Sequence, residues 1–240
     1  MFKLFVFLKR KPELSDDEFW RYWFETHAPL MTGQPAFQRH VKRYVVNRTL
    51  PGAAIPELTL SDLDGAGELW FERFDDLTAM VGDPAFTGPV GADVARFAEA
   101  ARTILLVCEE SVQFDRGFGA VKFIGLSRRH PSLGHDEWCR YWIDVHGPLA
   151  HGIAEFTRYY GKYVHNYVLP DDPAAADSLE FDGIVEEWLE SAEAMADCLA
   201  EPKYLELVRP DELKFVDFGR SHMLLTEEHT IFDSSGGTKT

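Results

Sequence analysis

Cysteine is scarce in this chain: the three thiols, Cys108, Cys139 and Cys198, are odd in number and far apart. They frame neither a disulfide scaffold nor a cysteine-rich zinc site. Basic residues are also few, 24 Lys and Arg against 40 Asp and Glu, giving a formal net charge of −16. That balance repels a phosphate backbone and an anionic bilayer surface, so no nucleic acid and no membrane is expected as a partner. No apolar run reaches the length of a bilayer span. The apolar opening, residues 1–8, is too short for a signal peptide, and Lys9-Arg10-Lys11 lies on its wrong side, so the expected location is cytoplasmic. Also missing are H-E-x-x-H, G-x-G-x-x-G, P-loop and Cys-x-x-Cys-His patterns. The expectation is therefore no metal and no cofactor. What is present is a globular composition, 45 % hydrophobic and 13 % aromatic over 240 residues, enough for one large domain or two small ones.

The chain repeats itself. Shifted by about 119 positions, residues 2–50 fall on residues 121–169 without a gap, with about 20 of about 49 compared positions identical. Arg21-Tyr22-Trp23 meets Arg140-Tyr141-Trp142, His27-x-Pro29 meets His146-x-Pro148, and Tyr44, Val45 and Asn47 meet Tyr163, Val164 and Asn166. With the register shortened by one, Glu68-x-Trp70-x-Glu72 meets Glu186-x-Trp188-x-Glu190, Pro84 meets Pro202, and Glu109-Glu110 meets Glu227-Glu228. Two helices sharing a pattern would not align Trp, His, Pro and Asn together. The repeats are read as residues 1–114 and 120–233, separated where Gly117 and Gly119 break periodicity, with 234–240 as a disordered tail. A long loop recurs in each, 50–67 and 169–183, rich in Pro, Gly and Ala.

Within one repeat, the apolar run 2–8 predicts a buried strand. Ser15-x-x-Glu18 has the form of a capping box and opens a helix whose regular part ends at Pro29. Strands are expected at 41–50, 69–74 and 103–112, and helices at 75–80 and 93–101, with a proline region between the helices. The order is β-α-β-β-α-β, an α+β ferredoxin-like unit. Each sheet then has one face under its own helices and another needing cover. Tandem copies packed sheet to sheet would meet that need as an intrachain dimeric α/β barrel, with a pocket expected between the sheets.

These residues resemble the EthD family of the dimeric α+β barrel superfamily. The likeness rests on Trp23…His27-x-Pro29 and Trp142…His146-x-Pro148, on Arg39…Tyr44…Asn47 and Arg158…Tyr163…Asn166, and on Glu68-x-Trp70 and Glu186-x-Trp188. It spans most of both repeats. The resemblance implies the barrel fold. The wider superfamily implies several activities: polyketide dehydratases and cyclases, lactone isomerases, cofactor-free monooxygenases and haem-handling enzymes. Haem enters by that analogy alone.

The candidate catalytic residues are His146, His165, Tyr163, Glu186, His27 and Glu68. A histidine gains and loses a proton near neutral pH, and a glutamate in an apolar pocket can be tuned toward it. Tyr163 could donate to a developing oxyanion. Tyr44, Asn47, Asn166, Trp70, Trp188, Trp142 and His222 are candidates for substrate binding, with Trp70 and Trp188 as pocket walls. For each, a structural role stands beside the chemical one: a histidine locking a helix end, a packed tyrosine, a glutamate paired with Lys3, Lys122, Arg39 or Arg158. The second repeat carries more weight, because His165 replaces Val46, His222 replaces Ile104, and Tyr163 and His165 share a strand face. His130 and His135 are expected to be solvated. The expectation is a cofactor-independent lyase or dehydratase using His/Glu acid-base chemistry on a hydrophobic, oxygenated, aromatic or polyketide-like small molecule. An isomerase or cyclase, a cofactor-free monooxygenase and a non-catalytic ligand-binding protein stay open beside it, as does pairing of two such chains into a homodimer of pseudo-dimers.

Overall fold

The computed structural model describes residues 1–52, 55, 58–170 and 173–235, without the side chains of 173–175. The expected tail beyond residue 235 and parts of both long loops lie outside the described residues. The first repeat runs β1 (Phe2–Leu8), α1 (Asp16–Tyr22), α2 (Ala28–Thr32), α3 (Pro35–His40), β2 (Val41–Thr49), β3 (Gly65–Phe71), α4 (Phe74–Val81), α5 (Pro84–Phe97) and β4 (Ile104–Asp115). The second runs β5 (Val121–Ser127), α6 (His135–Tyr141), α7 (Gly147–His151), α8 (Ala154–Thr157), β6 (Tyr160–Val168), β7 (Gly183–Leu189), α9 (Ala192–Leu199), α10 (Arg209–Phe215) and β8 (His222–Asp233). The hydrogen-bonded strand order is β1-β3-β2-β8-β5-β7-β6-β4, a closed barrel, as the repeat predicts. Two compact units divide the chain: Met1–Thr49 with Asp62–Val107 and Glu228–Thr240, and Leu50–Ser61 with Cys108–Glu227.

Local sequence explains the elements. The Ser15 capping box is present: the Ser15 hydroxyl accepts from the Glu18 N–H at 3.3 Å, and the Glu18 carboxylate accepts from the Ser15 N–H at 2.9 Å. The helix does not stop before Pro29. It widens into a π-turn over Trp23–His27, where the Ala28 N–H reaches back to the Trp23 carbonyl, then continues as α2 with the proline in its first turn. Trp142–His146 does the same before Pro148. A proline has no N–H to give, so the turn before it is free to take an extra residue, and each histidine is swung inward. The proline region expected between two helices is itself helical. Pro84 opens α5 behind the Asp83 cap, whose carboxylate accepts from the Ala85 N–H at 2.9 Å, and Pro89 is carried inside the helix. The 14-residue α5 therefore places Asp93 in its last turns rather than at the start of a helix.

In the first unit β1 and β2 flank β3 antiparallel, setting Phe5 and Val45 opposite Glu68; its core holds Phe19, Trp20, Trp23, Phe37, Tyr44 and Phe97. In the second, β5 and β6 flank β7, setting Ile124 and Val164 opposite Glu186; its core holds Phe156, Tyr160, Tyr163, Met195 and Tyr204. The segment Leu50–Ser61 belongs to this second unit. Its backbone is pinned to β8, Leu50 N–H to the Leu225 carbonyl at 2.8 Å and Ser61 N–H to Met223 at 2.7 Å, and it buries Ile55 against the core.

Candidate active site

Each unit encloses a cavity between its sheet and its own helices, on the side that Tyr44 or Tyr163 faces, rather than on the face that holds Glu68 or Glu186. In the second unit the cavity measures about 80 Å³ and is lined by Trp142, His146, Tyr160, Tyr163, Glu187, Tyr204, Glu212 and His222, with Leu58 of the pinned segment beside them. The imidazole of His146, delivered by the π-turn, is 4 % exposed and bonds Asp211 Oδ2 through Nδ1 at 3.0 Å. The other Asp211 oxygen accepts from the Tyr141 hydroxyl at 2.6 Å and from Lys214 at 3.0 Å. With its carboxylate held by three donors, Asp211 fixes the ring tautomer, which leaves Nε2 with the lone pair. Burial pulls His146 below its ordinary pKa, while Asp211 pulls the other way.

Two carboxylates share this cavity. Burial, and then the nearby charge of Glu212, push Glu187 up to about 8, against the Tyr163 and Tyr160 hydroxyls that bond its carboxyl. Burial pushes Glu212 up to about 7, against Tyr204 at 2.9 Å and Arg209 at 3.2 Å. Two such groups titrate as a pair, holding a proton between them near neutrality. Tyr160 and Tyr163 are raised well above the ordinary phenol value by burial and remain donors. The Tyr160 hydroxyl also accepts from the Cys198 thiol at 3.1 Å. His222 meets the Ser61 hydroxyl at 3.1 Å. A base, a reservoir of acid and phenolic donors thus line one small apolar cavity, the combination that proton transfer at carbon requires.

The same construction stands in the first unit without the acid pair. His27 Nδ1 meets Asp93 Oδ2 at 2.9 Å, and Tyr22 donates to Asp93 Oδ1 at 2.7 Å. Yet Leu69 stands where the second repeat has Glu187, Val94 where it has Glu212, and Phe86 where it has Tyr204.

Of the residues expected from sequence, the structure brings His146, Tyr163, Trp142 and His222 to the second cavity, and His27 and Tyr44 to the first. Glu186 and Glu68 are elsewhere. Glu68 accepts from Asn47 at 2.7 Å and from Lys3 at 3.5 Å, and Lys3 lies over the Trp70 ring at 4.4 Å. Glu186 accepts from Asn166 at 2.8 Å and pairs with Lys122 at 2.5 Å, and Lys122 lies over Trp188 at 4.5 Å. All six polar side chains are buried. Trp70, Trp188, Asn47 and Asn166 therefore belong to two ion-pair clusters rather than to cavity walls. The physical reason is the strand period of two, which turns Glu187 toward the helices when Glu186 faces away. His165 shares the Tyr163 face, as expected, but sits behind the cavity, its ring 4.3 Å from Trp142 and its Nδ1 3.3 Å from the Tyr167 hydroxyl. Burial holds it well below its ordinary pKa, hence neutral. His135 is not solvated: it is 6 % exposed and bonds Asp182 at 3.0 Å.

Sequence reasoning missed Asp93, Asp211, Glu187, Glu212, Tyr160 and Tyr204. A signal existed for the aspartates, since Asp93 and Asp211 align in the shortened register of the repeat. Glu187, Glu212, Tyr160 and Tyr204 have no counterpart of like type in the first repeat, so a search for repeated residues passes over them. Among the described residues no group of three or more His, Cys, Asp or Glu is placed to hold a metal ion, and no helix is long and apolar enough to cross a membrane.

The EthD domain model matches the chain twice, over residues 11–101 and 130–219. The conidial pigment biosynthesis dehydratase EthD of Metarhizium robertsii is 29% identical over 105 residues, 41% of this chain and 74% of that one. Dehydratase ustZ of Ustilaginoidea virens is 27% identical over 108 residues, 42% of this chain and 77% of that one. Among solved structures, an anthrone oxidase-like protein superposes with a TM-score of 0.58 at 10% identity, covering 97% of this chain and 94% of that one. A mutant chlorite dismutase from Candidatus Nitrospira defluvii superposes with a TM-score of 0.55 at 11% identity, covering 96% and 92%. At such identities the superpositions show the fold alone.

Proposed function

From a chain that belongs to the EthD domain family through both of its halves, we propose a cofactor-independent dehydratase whose working site is the cavity of the second unit. The observation that carries this reading is the meeting of the His146–Asp211 dyad with the Glu187/Glu212 pair in one cavity. Two relatives named dehydratases support the reaction class. The substrate is a neutral, hydrophobic small molecule, aromatic or polyketide-like, carrying a hydroxyl on the carbon β to a carbonyl. Beside the Glu187/Glu212 pair, which shares a proton and has Arg209 3.2 Å from Glu212, the described lining holds no further Asp or Glu and no Lys or Arg, which favours an uncharged guest.

In the proposed sequence, His146 Nε2 takes the proton from the carbon next to the carbonyl, and Asp211 steadies the imidazolium that forms. Tyr163 or Tyr160 donates to the enolate oxygen. The protonated member of the Glu187/Glu212 pair delivers its proton to the β-hydroxyl. The C–O bond breaks, the double bond forms and water leaves. The proton on His146 then returns to the carboxylate pair. Three free thiols suit a reducing compartment, in keeping with a cytoplasmic enzyme.

The test is mass spectrometry of a panel of β-hydroxy ketones fused to aromatic rings, incubated with the protein. The expected result is loss of one water, slowed about 100-fold or more in His146→Gln and in Glu187→Gln. In D2O, Glu187→Gln should still exchange the proton next to the carbonyl while eliminating slowly. Undiminished turnover in both variants would remove this site from consideration.

A further inference from the structure

The first unit has a cavity without the acid pair. Its space measures about 520 Å³, against about 80 Å³ in the second unit, and the difference follows from the repeat. Where the second unit has Phe123, Val185 and Phe218, the first has Leu4, Gly67 and Ala100. At Gly67 a side chain would stand in ordinary contact with Trp23 and Tyr44, at 3.5 Å and 3.6 Å, so the bare backbone spares the room beside these rings that Val185 occupies in the second unit. A volume of several hundred cubic ångströms is the range of drug-sized ligands.

The lining states what such a ligand must be. Among the described residues no Asp, Glu, Lys or Arg lines this cavity. A charged guest would surrender its hydration without a partner, so the ligand is neutral. The aromatic and thioether walls, Trp23, Tyr44, Phe86, Met31 and Met80, suit a flat apolar body. The Thr87 and Thr103 hydroxyls, less buried, give their protons to the Asp83 and Glu99 carbonyls at 3.1 Å and 3.2 Å, and polar guidance from the buried lining comes from two points. His27 gives its Nδ1–H to Asp93 and keeps a lone pair on Nε2 as an acceptor. The Tyr44 hydroxyl, which accepts from Trp23 Nε1 at 2.9 Å, keeps its own proton as a donor. One acceptor and one donor match a hydroxyl group, which gives and takes one bond each. The entrance is marked by Leu105 and Val81, apolar side chains that are 62% and 40% exposed.

We propose that the cavity of the first unit is a separate binding site for a neutral, flat, largely apolar molecule bearing a hydroxyl, which it holds without converting. The lining lacks both carboxylates that serve as the proton source in the second unit, so binding here is not followed by the elimination proposed there. Binding here stands on the cavity alone, while the absence of turnover rests on the acid role proposed for Glu187 and Glu212; the site's role is to concentrate, retain or sense a hydroxylated aromatic compound.

The probe is 6-bromo-2-naphthol, titrated into the intact protein by calorimetry and soaked into its crystals, with the bromine located by anomalous scattering. The expected result is saturable binding with bromine in the first cavity. 2-Bromonaphthalene, which lacks the hydroxyl, should bind up to about 10-fold more weakly, the equivalent of one hydrogen bond. The anion 6-bromo-2-naphthoate should fail to compete. Leu105→Trp closes the entrance from an exposed position that tolerates a large side chain, and should abolish the isotherm. His27→Phe keeps the shape and should erase the preference for naphthol over bromonaphthalene. No saturable binding to the wild type, bromine only outside this cavity, or isotherms unchanged by both substitutions would each overturn the proposal. Loss of dehydration in the second-unit variants with naphthol binding intact would leave this site standing by itself.

Discussion

Glu187→Gln tests the electrostatics of the second cavity through stability alone, with no substrate needed. Glu187 is 7 % exposed and carries a pKa raised from 4.5 to about 8, first by burial and then by the charge of Glu212. In the unfolded chain the carboxyl returns to its ordinary value. Between about pH 4.5 and 8 the folded protein therefore holds a proton that the unfolded chain has lost, and stability falls as pH rises through that window. The interval of about 3.5 units corresponds to at most about 5 kcal/mol, at about 1.4 kcal/mol per unit. Part of that belongs to the coupled pair, so an effect of about 2–5 kcal/mol is expected. Glutamine keeps the shape and the hydrogen-bonding oxygen but cannot ionise. Urea unfolding followed by tryptophan fluorescence, at intervals from about pH 5 to pH 9, should show the variant overtaking the wild type as pH rises. His135 acts in the same direction in both proteins. Raised to about 9 by its bonds to Asp182 and Cys139, it contributes stability that is complete below about pH 6.5 and lost as pH rises through 9. The difference between the two curves is therefore the quantity to read. Parallel curves would refute the reasoning, because they would mean that Glu187 titrates alike in the folded and unfolded states.

Removing one partner of a buried ion pair leaves the other charge stranded, so Lys122→Met should cost about 3–5 kcal/mol in urea unfolding. The double substitution Lys122→Met/Glu186→Leu should recover much of that loss. In Gly183→Ala the new methyl would stand 2.4 Å from Trp142 Cζ3 and 2.6 Å from Trp138 Cη2. Both rings are buried and hemmed in, and a cost of about 1–3 kcal/mol should appear in calorimetric melting. Of the three free thiols, Cys108 and Cys198 are buried, whereas Cys139 is partly exposed and 3.6 Å from His135 Nε2. Iodoacetamide followed by peptide mass mapping should label Cys139 first, and His135→Gln should slow that labelling.

The repeat made the fold legible. Aligned Trp, His, Pro and Asn side chains announced two copies of one α+β unit, and the apolar run at residues 2–8 and the expected strand at 41–50 correspond to β1 and β2, which end at Leu8 and Thr49. Tyr44 and Asn47 fall on opposite faces, as a spacing of three on a strand requires. His27 and His146 were visible because a histidine two residues before a proline recurs in both halves, and the π-turn supplied the geometry that a one-dimensional pattern lacks.

What the sequence by itself determined is the duplication, the barrel it closes, and the histidine and tyrosine that face each cavity, since periodicity and repetition are properties of the chain. Only the tertiary structure decided which acids matter. Glu186 and Glu187 are neighbours along β7 and differ by one position, but that position reverses the face, sending the first to Lys122 and Asn166 and the second among tyrosines. Asp211 and Glu212 arrive from α10, far along the chain from His146 and Glu187. Their partnership exists because the helix folds back over the sheet, and a raised carboxylate pKa is a property of that enclosure, of lost water and a nearby like charge, which no local run of residues carries.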